Sequence, residues 1–118
     1  MIIMVNPYTN GQVVTSLRNS QSSPILGSVN AVSMNRCDVE IKRLSDGFYW
    51  TGTTWTSTVQ NFPATVSNRN PSPPWYDFRY DAGPGSANMT SGTQYLVWVY
   101  CADLSGGTTI ATVTVTKA

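Results

Sequence analysis

This chain has no histidine, one glutamate and two cysteines. Without histidine it lacks the commonest general base and the commonest metal ligand. Glu40 sits in a run of alternating charges, so no pair of carboxylates is set across a cleft. Serine and threonine are abundant, yet no base is placed to activate them. Two cysteines alone do not complete a tetrahedral zinc site. Charged residues make up 11% of the chain, less than half the usual share. Seven basic and six acidic residues leave a net charge of +1, and no basic run appears, so nucleic acid and anionic membrane surfaces are not expected partners. No apolar stretch is long enough to span a bilayer, and Met1–Val5 is too short for a signal peptide. Neither catalytic residues nor a cofactor nor a metal site is written here, and an enzyme is not expected. The chain reads as a module cut from a longer protein, with the hydroxyl-rich, weakly charged surface common on secreted β-proteins.

At 118 residues, a single domain over 1–118 is expected. No useful helical periodicity is present. Short alternating segments are divided by Gly, Pro, Asn and Ser clusters, the pattern of an all-β sandwich. Val97, Val99 and Cys101 alternate with Trp98 and Tyr100; Ala111, Val113 and Val115 alternate with Thr112, Thr114 and Thr116. Two strands joined by a glycine-containing turn follow. Cys37–Leu44 alternates in the same way, with Val39 and Ile41 opposite Glu40 and Lys42. Met1–Tyr8 is expected as an edge strand that Val13–Leu17 continues. Ile25–Val32 is a second strand, entered through Pro24. Phe48–Trp50 and Thr54–Ser57 form a short hairpin, and Phe62–Val66 and Trp75–Tyr80 are further strands. Ser67–Pro74 and Asp81–Ser91 are long loops. The expected core is Ile25, Val29, Val39, Ile41, Phe62, Val66, Tyr76, Phe78, Val97, Val99, Val113 and Val115.

The order of these signals resembles the bacterial Ig-like domains found as modules of large secreted and cell-surface proteins. Asn6-Pro-Tyr-Thr-Asn-Gly11 resembles their P-x-x-G opening with one residue more before the glycine, and Pro24-Ile-Leu-Gly27 their P-x-I-x-G entry to the second strand with one residue fewer. Asp46-Gly-Phe-Tyr-Trp-Thr-Gly-Thr-Thr-Trp55 looks like their D-G-x-Y-W-x-G-x-x-W hairpin, the most specific piece. Gly92-Thr-Gln-Tyr95 and Ala102-Asp-Leu-Ser-Gly-Gly107 resemble the pattern near the end, although Ser91 replaces a common Asp and Gly107 a usual Asn. The resemblance covers most of the chain. It implies an Ig-like Greek-key β-sandwich of about seven strands, in which the strands of Cys37 and Cys101 are antiparallel neighbours and the last strand lies beside them. It also implies a non-catalytic structural or adhesive role at the cell surface or outside the cell, with neighbouring modules of the same polypeptide as partners.

Cys37 begins one of these neighbouring strands and Cys101 ends the other, both facing inward. They form either a disulfide, suited to an oxidising compartment and closing a loop worth about 4 kcal/mol in chain entropy, or two buried thiols acting as small apolar fillers. The family pattern requires neither. Trp98 and Tyr100 face outward with Lys42 and Glu40. Such aromatics either offer sugar rings a platform with polar neighbours, or cover the sheet and meet another module. Lys42 is expected over Trp98 as a cation–π pair. Trp50 and Trp55 are expected to clasp across their hairpin. Asp46, Asp81 and Asp103 lie in turns, where Asx capping explains them more simply than calcium. Asn88-Met-Thr90 matches a glycosylation acceptor, which a bacterial origin would leave idle. The alternatives to a structural or adhesive module are a carbohydrate-binding module using Trp98 and Tyr100, with a glycan or another protein as partner, and a phage or virion surface domain.

Overall fold

The computed structural model describes residues 1–68 and 75–118. Most of the expected Ser67–Pro74 loop, residues 69–74, lies outside the described residues. Eleven strands are present among the described residues, in two sheets packed as a sandwich-like all-β globule. The smaller sheet runs β1 (Ile2–Asn6), β3 (Ile25–Asn30), β9 (Trp75–Tyr80), β8 (Thr65–Asn68). The larger runs β2 (Gln12–Val14), β11 (Thr108–Lys117), β10 (Gln94–Ala102), β4 (Arg36–Arg43), β5 (Phe48–Trp50), β6 (Trp55–Thr56). A two-residue strand, β7 (Phe62–Pro63), also joins β4.

The expected centre of the larger sheet is present. β10 pairs antiparallel with β4 on one side and with β11 on the other. In register, Val99 faces Val39 and Ala111, and Val97 faces Ile41 and Val113. Strand parity sends these valines and Ile41 inward against Ile25, Val29 and Phe78 of the smaller sheet, and all but Ala111 are buried. Each fully buried side chain of this kind contributes about 1.5–3 kcal/mol. Phe62, Val66 and Tyr76 of the expected core pack against it but remain partly exposed. Trp50, Tyr95 and Leu17 were not in the expected core and are completely buried.

Two expected strands divide. Val13–Leu17 does not continue the edge started by β1. The chain leaves the smaller sheet after Asn6, and β2 lies parallel beside β11 in the other sheet. Phe62–Val66 divides at Ala64. Val39 pairs with Phe62 and Asp38 with Pro63, and then Thr65–Asn68 pairs with β9 in the opposite sheet. Pro63 has no N–H to donate, which suits a strand ending at that point. These crossings, with the separate short strands of the Phe48–Thr56 hairpin, raise the count above the expected seven. Gly27 explains the last residue of its motif: a Cβ there would collide with the Phe78 ring and lie 2.8 Å from the Ile3 carbonyl.

Cys37 and Cys101 face each other across β4 and β10, with Cα atoms 4.1 Å apart, and are joined as a disulfide. The cross-link spans a sequence separation of 64. Mass spectrometry after alkylation without reductant is expected to show no added groups. Replacing both cysteines with alanine is expected to lower stability by about 2–4 kcal/mol in urea titration. Two alkylated thiols in the native protein would contradict this.

Candidate functional site

The outward face of β4, β10 and β11 carries the expected aromatic pair. The Trp98 and Tyr100 rings stack with centroids 5.7 Å apart and planes within 10°. Trp98 stands between Glu40 on β4 and Thr112 on β11; Tyr100 stands between Asp38 and Ile110. The Arg36 guanidinium lies 5.9 Å from the Tyr100 ring centroid and pairs with Asp38 at 3.1 Å. Both rings are half-buried. Because each ring turns one face to the other, a flat ligand cannot lie across both. It can stack on an outer face or meet ring edges.

Lys42 does not lie over Trp98. Its ammonium is 5.6 Å from the centroid of Tyr49. The register explains this: Lys42 sits directly between Leu96 on β10 and Tyr49 on β5, whereas Trp98 is opposite Glu40. Burial raises the Glu40 pKa above its usual range, and the charge of Lys42 opposes that shift. The four candidate ligand-face residues therefore share one face, but Lys42 serves the β4–β5 side of it.

Trp50 and Trp55 do meet, edge to face, at 5.2 Å. They also do something that periodicity does not reveal. Trp50 Nε1 donates to the Ala82 carbonyl at 2.8 Å and Trp55 Nε1 to the Asn88 carbonyl at 2.9 Å. The hairpin thereby holds both ends of segment 82–88. From the other side, Leu17 N–H donates to the Pro84 carbonyl at 2.9 Å, Arg18 Nη1 to the Gly83 carbonyl at 3.0 Å, and Ser86 N–H to Gln21 Oε1 at 2.8 Å. A Cβ on Gly83 would run into the Leu17 carbonyl. Arg18 and Gln21 carried no expectation from sequence. The available signal was Gly83-Pro84-Gly85, a cluster that marks a turn and a close backbone approach.

Tyr95, at the start of β10, is buried, and its hydroxyl accepts from the Thr90 N–H at 2.8 Å. Asn88 is exposed next to buried Met89.

The three turn aspartates are committed locally. Asp46 accepts from Arg43 Nη2 at 2.6 Å and from the Phe48 N–H at 3.1 Å. Asp81 pairs with Arg79. Asp103 accepts from the Ser105 N–H, the Ser105 hydroxyl and the Gly107 N–H at 3.0, 2.7 and 2.8 Å. A Cβ at Gly107 would approach Asp103 Oδ2 to 2.6 Å, so a side chain there would require the Asp103 carboxylate to shift. No group of three or more potential metal ligands occurs among the described residues, and no helix among them is long and apolar enough to cross a membrane.

These bonds hold the Asp46 and Asp103 carboxyls below the usual range. Hydrogen bonding to Arg43 is the main cause for Asp46, and to Ser105 for Asp103. Below an ordinary carboxylate pKa of about 3.9, the unfolded chain then binds more protons than the folded one at these sites. Their contribution is present above that value and is lost as pH falls through the lowered folded values. Urea titrations at about pH 6 and about pH 3 are expected to show a smaller acid loss for the Asp46→Asn/Asp103→Asn double variant than for the native chain. An equal acid loss would remove these two carboxylates from the account.

Comparison with family models, with curated proteins and with solved structures finds no match to this chain.

Proposed function

We propose that this chain is an Ig-like Greek-key module without catalytic activity, serving a structural or adhesive role in a secreted or surface-exposed bacterial protein. The strand order carries this reading. Sheets ordered β1-β3-β9-β8 and β11-β10-β4 follow the ABED and GFC order of Ig domains, and β5 adds beside β4 as extra strands do in the variable type. Tyr95 supports it further. A tyrosine at the start of the penultimate strand, bonded to backbone five residues upstream, is similar to the tyrosine corner of that fold. The disulfide differs from the inter-sheet bridge of antibody domains, since it joins neighbours within one sheet. Its presence favours an oxidising location outside the cell.

A spacer must resist tension as a unit. Only the 36 residues before Cys37 and the 17 after Cys101 lie outside the cross-linked loop. Pulled between its termini, the oxidised module is expected to unfold in a single event whose gain in contour length is less than half that of the reduced module. Gradual lengthening without a distinct event would count against a mechanical role.

A second reading rests on the stacked Trp98–Tyr100 pair facing solvent: a carbohydrate-binding face with Glu40 and Lys42 as polar neighbours. On a glycan array, binding through this face is expected to fall at least tenfold in Trp98→Ala, the loss of roughly 1.4 kcal/mol of stacking. Absence of binding, or binding that survives the substitution, removes this reading.

A further inference from the structure

At one end of the sandwich the 3-10 turn at Asn19–Gln21, the β5–β6 turn and segment 82–88 border a shallow, open cleft of about 350 Å³. That is at the small end of the ~300–1,000 Å³ range of ligand pockets. Arg18, Ser20, Gln21, Thr53 and Asn88 line it, with buried Trp50 behind them. Its walls are fixed in advance. The two indole N–H bonds, the Arg18 bond to Gly83 and the Gln21 bond to Ser86 tie all three segments together, so little ordering remains to oppose binding. Gly52, at φ +102°, and Gly85 also line the cleft and keep it free of side chains at those points.

The chemistry of the lining is one-sided. Arg18 supplies a full positive charge, and no carboxylate lines the cleft. One guanidinium nitrogen is engaged with the Gly83 carbonyl, and the group has five N–H donors in a planar fork that matches a carboxylate. Among the described residues no ion pair takes up Arg18, and nearby Asp81 is paired with Arg79. The remaining polar groups are two hydroxyls and two carboxamides, which both donate and accept and so suit ring hydroxyls.

We propose that this cleft binds a carboxylate-bearing sugar, a uronate residue, with Arg18 meeting the carboxylate and Thr53, Gln21 and Asn88 meeting ring hydroxyls. The site is separate from the Trp98–Tyr100 face, and its failure would leave the strand-order reading of the module untouched.

The test is an amide chemical-shift titration of the intact, oxidised chain with D-glucuronate, with D-glucose and acetate as controls. Glucuronate is expected to shift the amides of Gly52, Thr53 and Gly85–Asn88 with a Kd in the low millimolar range, on the order of −3 to −4 kcal/mol. Glucose and acetate are each expected to bind at least tenfold more weakly. Arg18→Gln is expected to weaken glucuronate binding at least tenfold. Asn88→Ala, at an exposed position, is expected to weaken it several-fold while the rest of the spectrum stays unchanged, which covers the case in which Arg18→Gln loosens the fold. The proposal is overturned if glucuronate leaves these amides unmoved, if glucose matches it, if Asn88→Ala binds as the native chain does, or if the shifts fall on Trp98 and Tyr100 instead.

Discussion

The ladder of β4, β10 and β11 is the constraint on which the rest of the molecule depends. Nine residue pairs join β10 to β11 and eight join it to β4, enough to fix the register across the whole width. A slip of one residue would turn Val97 and Val99 to solvent and drive Trp98 and Tyr100 into the core. The same parity places the two cysteines on one inward pair. The disulfide therefore reinforces a register that burial already selects. It ties together residues that the folded chain holds adjacent, and restricts the chain mainly when it is unfolded.

A sheet of this kind leaves its ends to be closed by loops, and here closure uses polar atoms as well as apolar area. Trp50 combines complete burial with a donated hydrogen bond to the Ala82 carbonyl. An indole N–H buried without a partner would cost on the order of 1–3 kcal/mol, so Trp50 can sit in the core only because segment 82–88 brings it an acceptor. The dependence runs both ways, since that segment has little regular structure of its own beyond a 3-10 turn at Ser86–Asn88.

What was legible in the sequence follows from this physics. Alternation reports which side of a strand a residue occupies, so Val39, Ile41, Val97, Val99, Val113 and Val115 were assigned correctly. Alternation does not report which sheet a strand joins. Val13–Leu17 and Phe62–Val66 therefore read as single strands, although the chain crosses between sheets within or beside each. Lys42 failed for a related reason. Its partner is set by the register of β5, and a two-residue pairing with Tyr49 leaves no periodic trace. Trp50 and Trp55 were placed beside each other correctly, but their bonds to Ala82 and Asn88 join residues 32 and 33 positions apart through backbone carbonyls that every residue type carries. Arg18 was missed because a lone arginine beside polar residues is indistinguishable in sequence from a solvated one.

The two polar regions of this surface differ in how much freedom they retain. On the outward sheet face, most charged neighbours of the aromatic pair are already matched: Arg36 with Asp38 and with the Tyr100 ring, Lys42 with the Tyr49 ring, while Glu40 beside Trp98 is partly buried. A ligand there must compete with contacts that the protein makes to itself. At the cleft, Arg18 spends one hydrogen bond on the backbone and stands among uncharged groups. Preorganised walls with an unmatched cation favour an anionic ligand more than an aromatic face whose cations are already engaged, because binding then adds an interaction instead of exchanging one.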